Sequence, residues 1–127
     1  MSEKYSYHYD SDTRILSRSH YGNFTLQDIF DSWNDAIDND LIPKRTIGFF
    51  IDYRDADLQV DPSDHKKIIE YFDSRKEIFG DKKFAVLVNS PRNTVLPFII
   101  EHTPKHYTLK TFTTEEAALR WILNDRL

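Results

Sequence analysis

Two apolar runs, Ile47–Ile51 and Phe84–Val88, constrain this chain more than any other feature of its sequence. A strand with one face in water alternates apolar and polar residues, whereas an unbroken run is buried on both faces and needs a layer on each side of the sheet. Each run is followed by a helix signal. Asp61-Pro62-Ser63-Asp64 supplies a capping acid, a proline suited to the first helical position and a further acid at the positive end of the helix dipole. Ser90-Pro91 repeats the cap and proline. Strands that alternate with helices in this way imply a parallel sheet joined by right-handed crossovers.

The rest of the chain extends the pattern. Residues 5–9 alternate Tyr5, Tyr7 and Tyr9 with Ser6 and His8, residues 13–21 are rich in strand formers, and Asp10-Ser11-Asp12 between them is turn chemistry, which together predict an antiparallel hairpin ended by Gly22. Thr25 and Asp28 have the spacing of a capping box. Leu26, Ile29, Phe30, Trp33 and Ile37 follow at helical spacing and predict a first helix over 26–39. Asp52 to Asp57 reads as an acidic segment leaving the sheet. A second helix starts at Asp61, turns Ile68, Ile69, Phe72 and Phe79 inward, and stops at Gly80. The third helix covers 91–102 with Pro97 inside it. A last strand, Tyr107–Phe112, precedes a helix capped by Thr113 and Glu116, with Ala118, Leu119, Ile122 and Leu123 facing inward. Trp33 and Trp121 are both expected to be buried. The order β-β-α-β-α-β-α-β-α predicts one α/β domain over residues 1–127, with a mostly parallel central sheet of about five strands, an N-terminal antiparallel hairpin and about four helices.

Charge and composition narrow the function classes. The net charge is −4 with the basic residues scattered, so no clustered cation supports nucleic-acid binding. The absence of cysteine rules out disulfides, thiolate metal sites and a thiol nucleophile. The start is polar and no apolar run reaches the ~20 residues of a membrane span, so a cytoplasmic protein without membrane insertion is expected. No nucleophile elbow or Gly-rich phosphate loop occurs.

Three segments carry a resemblance: Gly22-Asn23-Phe24-Thr25-Leu26-Gln27-Asp28, Phe50-Ile51-Asp52-Tyr53-Arg54, and Phe112 to Ile122. On these, and over nearly its whole length, the chain resembles the SpoIIAA-like, STAS/SEC14-type superfamily, the fold shared with anti-sigma-factor antagonists. The resemblance implies a SpoIIAA-like α/β fold and a binding or regulatory role. It also implies a place for a phosphorylatable serine at the start of the helix after the central strand. Here that place holds Ser63, but the motif's glycine is missing, Pro62 has entered, and Asp64 would repel a phosphate. Ser63 is therefore read as part of a helix start.

Two surfaces stand out as candidate sites. Asp52, Arg54, Ser90 and Arg92 lie where open α/β sheets bind ligands, beyond the carboxyl ends of central strands, and form a candidate anion or ligand site. The acidic segment Asp52 to Asp61 has the oxygen donors for a hard cation, but its spacing matches no calcium loop; a solvated acidic surface accounts for it as well, and no metal is assigned. The five histidines are too dispersed for a zinc site. The second surface is the third helix, apolar nearly all round, whose Val95, Leu96, Phe98, Ile99 and Ile100 are a candidate surface for a ligand or a partner. These features favour a non-enzymatic binding or regulatory module acting through protein contacts, with no cofactor, with an unidentified protein partner and with self-association through the third helix. Two alternatives stand beside it: a carrier or sensor of a small nonpolar, lipid-like molecule, and a metal-assisted enzyme using the acidic segment.

Overall fold

The structure is a computed structural model and describes residues 4–124. A five-stranded sheet runs β1 (Tyr5–Asp10), β2 (Ile15–Thr25), β3 (Gly48–Gln59), β4 (Lys83–Leu87) and β5 (Thr108–Phe112), in spatial order equal to chain order. β1 and β2 are antiparallel and every other neighbouring pair is parallel. Crossovers of the usual right hand that each add a strand on the same side place their connecting helices on one face. These are α1 (Leu26–Asp38), α2 (His65–Asp73), α3 (Lys76–Phe79) and α4 (Pro91–Glu101); α5 (Glu115–Leu123) follows the last strand and covers the other face.

The unbroken apolar runs are thereby explained. Phe49, Ile51, Phe84, Val86 and Val88 point to the larger core with Trp33 of α1, Phe72 of α2 and Leu96 of α4. Phe50, Ala85 and Leu87 point the opposite way, onto Ala118 and Ile122 of α5. The approach of α5 is close: a Cβ on Gly48 would sit 2.7 Å from the Ile122 Cγ2 atom and 3.1 Å from the Lys83 carbonyl, so only glycine fits there. Trp33 is the centre of the larger core, its ring edge-on to Phe49, Phe72 and Phe79 at 5.2–5.4 Å.

Several boundaries differ from the sequence reading, each for a physical reason. Asp52 to Asp57 does not leave the sheet; β3 continues to Gln59 beside β2, which itself runs through Gly22 to Thr25. Gly22 adopts φ +67°, a conformation that costs glycine little, and a register shift between Ser19 and Tyr21 lets the pairing resume beyond it. The second helix is interrupted: Asp61 caps a 3-10 turn over Pro62–Asp64, α2 ends at Asp73, and α3 is a separate turn. Thr25 and Asp28 form the capping box as expected, whereas Thr114, rather than Thr113, caps α5 by accepting from the Ala117 N–H. Trp33 is buried, but Trp121 is only half-buried beside Phe112 and Lys83.

Candidate functional site

β3 outruns β4, and this overhang shapes the carboxyl end of the sheet. Beyond Asp52, which pairs with Leu87, β3 has no strand neighbour on the β4 side among the described residues. An unpaired strand edge inside a protein leaves backbone groups without partners. Asn93, in the first turn of α4, supplies them: its Nδ2 donates to the carbonyls of Tyr53 at 3.1 Å and Ala56 at 2.9 Å, and its Oδ1 accepts from the Leu58 N–H at 3.1 Å. The side chain is buried and stands in for a missing strand. Ser90 caps the same helix by accepting from the Asn93 N–H at 3.2 Å. The start of α4 is thus fastened to the β3 overhang, and the outer side of α4 borders the loops that leave β4 and β5.

That outer side is open. A groove of about 760 Å³ runs between Val88, Asn89, Pro91, Val95, Phe98 and Thr113. Val95 and Phe98, one turn apart, are 47% and 53% exposed, unusual for large apolar side chains in this chain. On the other flank of α4, Val95 also borders a smaller groove of about 360 Å³ with Leu58, Val60, Pro62 and Arg92. The five apolar residues singled out in the third helix therefore divide. Val95 and Phe98 face outward and Ile99 is half-buried, whereas Leu96 and Ile100 belong to the core and not to the surface. The helix turns one side inward, as a helix on a sheet must, and its opposite side happens to be apolar too. Pro97 is buried with the inward side. Beneath it lies a small cavity of about 40 Å³ lined by Trp33, Tyr53, Phe72, Leu96, Pro97 and Ile100, far below the roughly 300 Å³ at which small-molecule pockets begin.

The four residues of the expected anion site are brought to the same end of the sheet but not into one constellation. Arg54 holds Asp52 in a two-pronged bond, Nε to Oδ1 at 3.1 Å and Nη2 to Oδ2 at 2.9 Å, and Nη2 also reaches Glu115 of α5 at 2.9 Å. These bonds to two carboxylates raise the affinity of the Arg54 guanidinium for its proton above the ordinary arginine value. Arg92 pairs with Asp57 at 3.4 Å. Both cations already face carboxylates of the chain, and Ser90 is a helix cap. Ser63, the remaining sequence candidate, is exposed; its Oγ donates to Asp61 Oδ1 at 2.8 Å and its N–H to the same oxygen at 2.9 Å. Those two bonds, the backbone one first, hold the Asp61 carboxyl below the usual carboxylate range.

Sequence reasoning missed two residues of the larger core. Arg18 and His20, on the inward face of β2, are 0% and 1% exposed. The Arg18 guanidinium stacks 3.5 Å from the Trp33 ring centroid and 4.9 Å from that of Tyr7, and Nη2 donates to the Tyr7 hydroxyl at 3.3 Å, which in turn donates to the Ser32 carbonyl. No carboxylate approaches it among the described residues. His20 stacks on Phe24 at 4.5 Å and packs at a tilt against Tyr53 at 4.8 Å. Its burial, reinforced by the Arg18 charge, pulls its pKa down to about 2. The Tyr53 phenol is pushed up to about 12, again by burial. The available signal was the alternation of Leu16, Arg18 and His20 on one side of the strand, but Ile15 and Leu16 are both apolar and leave the phase of β2 open.

No protein-family model and no curated protein sequence matches the chain. Solved structures do. An uncharacterized protein of the DUF3478 family from Shewanella loihica PV-4, described as having a SpoIIAA-like fold, superposes with a TM-score of 0.62 at 16% identity over 96% of this chain and 98% of that one. The chain has a SpoIIAA-like fold. The anti-sigma factor antagonist SpoIIAA in its unphosphorylated form superposes with a TM-score of 0.55 at 10% identity, covering 94% of this chain and 98% of that one. The fold expected from the sequence is thus found, with its antiparallel first pair and parallel remainder. No helix of the described residues is long and apolar enough to cross a membrane.

Proposed function

We propose that the chain is a non-enzymatic regulatory module that binds an apolar segment of a partner protein in the groove along α4. The observation that carries this reading is the pairing of Val95 and Phe98, about half exposed at successive turns, beside an open apolar channel at the carboxyl end of the sheet. Exposed large apolar side chains clustered along a channel mark interaction sites more often than isolated ones do. The likeness to SpoIIAA, whose name describes it as an antagonist of an anti-sigma factor, supports a role exercised through protein contacts. The local neutralisation of Arg54 and Arg92 speaks for an apolar rather than an anionic occupant. A cytoplasmic setting belongs to the same reading, supported by a chain that contains no cysteine.

A photoreactive benzoylphenylalanine at position 98 tests this in the native host. The expected result is a protein-sized adduct that disappears when Val95→Glu is added. An adduct of lipid mass overturns the reading in favour of a nonpolar carrier, and the absence of any adduct overturns it outright. Because both side chains project outward, Phe98→Glu should leave the fold intact while weakening partner binding by roughly 30-fold or more, the effect of losing an interface anchor worth ~2 kcal/mol.

A further inference from the structure

The two edges of the sheet are treated differently. At β5 the carboxylate of Glu101 accepts from the outward N–H of Thr111 at 3.1 Å and lies 3.3 Å from its hydroxyl, so that edge is partly covered. At β1 no strand of the described residues lies beyond. The phase of β1 is fixed by two bonds at its ends: the Lys4 carbonyl accepts from the Tyr21 N–H at 2.7 Å, and the Asp10 carbonyl accepts from the Arg14 N–H at 2.6 Å. Pairing with β2 is unbroken from Tyr5 to Asp10. Backbone groups of successive residues point to opposite sides of a strand, so those of Ser6 and His8 face β2 while those of Tyr7 and Tyr9 face the open edge. Natural edges are commonly blunted by a proline, a bulge or an inward charge. β1 has none of these; its inward side is Tyr5, Tyr7 and Tyr9, all half-buried.

We propose that β1 pairs antiparallel with β1 of a second copy about a two-fold axis at Tyr7, joining the two sheets into one. Self-pairing of this strand has few registers, and one of them satisfies every constraint. With Tyr7 opposite Tyr7 of the second copy, Tyr5 faces Tyr9 and Ser6 faces His8. All the outward backbone groups of the strand then exchange hydrogen bonds, and three aromatic pairs stack along one face. The same register brings Lys4 of each copy opposite Asp10 of the other, a cation at one end of the strand against an anion at the other. Lys4 also bonds Asp28 within its own chain at 2.9 Å, which places its ammonium at that corner. Shifting the axis to residue 8 loses an aromatic pair and sets His8 against His8; shifting it to residue 6 loses one too and moves Asp10 out of reach of Lys4. A two-fold pair of this kind is closed and does not propagate into a filament.

Light scattering coupled to size exclusion at ~100 µM protein should give the mass of a dimer, a concentration that detects any interface tighter than ~10 µM. Ser6→Lys with His8→Lys changes two exposed positions and sets lysines opposite lysines, so it should weaken association by at least ~100-fold with an unchanged circular dichroism spectrum. Ser6→Cys with His8→Cys, in a chain that has no cysteine of its own, should cross-link on mild oxidation, because residues 6 and 8 of the two copies form a non-hydrogen-bonded pair with Cα atoms ~4.5 Å apart, within disulfide reach. A wild-type protein that stays monomeric overturns the proposal. So does a dimer that survives the lysine pair, or one that is abolished by Phe98→Glu instead, which would place the second copy on α4.

Discussion

Arg18 and Arg54 lie on neighbouring strands and illustrate opposite ways of keeping a guanidinium. Arg54 stands at the carboxyl end of the sheet, about a third exposed, with two carboxylates at 2.9 Å. Arg18 is fully buried with no carboxylate beside it among the described residues, held between the faces of Trp33 and Tyr7. A charge in a dry interior without a counter-ion is costly. The aromatic faces recover part of that cost, because the negative face of each ring attracts the cation and the flat guanidinium packs as a ring would. Burial accordingly lowers the proton affinity of Arg18 below the arginine norm, while Tyr7 and Tyr53 oppose that shift. The surface arginine organises a loop junction by charge; the buried one fills space beneath α1 by shape. Arginine in a candidate site is therefore no sign of an anion site until its partners are known.

Reversing the buried charge should have the largest effect. Arg18→Glu would set a carboxylate against the negative faces of Trp33 and Tyr7, and should destabilise the chain by about 5 kcal/mol, enough to abolish a cooperative thermal transition. Arg18→Met, which keeps the length and removes the charge, should unfold within about 1 kcal/mol of the wild type or above it. Equal destabilisation by both substitutions, measured by urea unfolding, would show that the guanidinium is held by specific bonds and not by shape.

Asn93 extends the contrast to a buried polar group whose needs are met. Its amide satisfies Tyr53, Ala56 and Leu58 of the β3 overhang. Asn93→Leu leaves two carbonyls and one N–H without partners in a dry place and should cost about 3 kcal/mol, more than a surface change on the same helix. The loss should be local: amide exchange at Leu58 should accelerate well before that at Phe84. Uniform acceleration would mean that the overhang and the central sheet open together.

How much of this could be read from the sequence follows the same division. The apolar runs at 47–51 and 84–88, the capping box at Thr25 and the caps at Asp61 and Ser90 are local signals, and they survive folding unchanged. The overhang of β3 was not legible, because Asp52 to Asp57 is as polar as a loop; only the neighbouring β2 and the Asn93 amide make it a strand. Arg18, His20 and the division of α4 into Leu96 and Ile100 inside, Val95 and Phe98 outside, depend on which face of an element meets a neighbour. That is settled by tertiary contacts that no single segment records.

His20 offers a pH test of the buried pair. Its folded pKa is held near 2, below the unfolded value, so the unfolded chain binds the extra proton between those two values. Stability from this group is complete above the ordinary histidine pKa of about 6.5 and falls as pH drops below it, by up to ~1.4 kcal/mol per pH unit. Between pH 6.5 and pH 5 the expected loss is therefore about 1.6 kcal/mol. His20→Phe, which keeps a ring between Phe24 and Tyr53, should remove that slope while carboxylate titrations leave the remainder. Parallel pH profiles for the two proteins would show that folding does not lower the His20 pKa.

The smallest effect is expected where the charges are most conspicuous. Arg54→Met removes the two-pronged bond to Asp52 and the bond to Glu115, yet all three side chains are in contact with solvent. Water and salt screen such pairs, so the loss should be within about 1 kcal/mol and should shrink further as ionic strength rises and the Debye length contracts. The hydrophobic stem of methionine preserves the packing of the arginine's methylenes. A larger loss, one that persists at ~1 M salt, where screening is nearly complete, would mean that Asp52 is dry and that the junction of β3 with α5 is held by a buried ion pair. In that case the distinction between the two arginines would be one of partner and not of solvent.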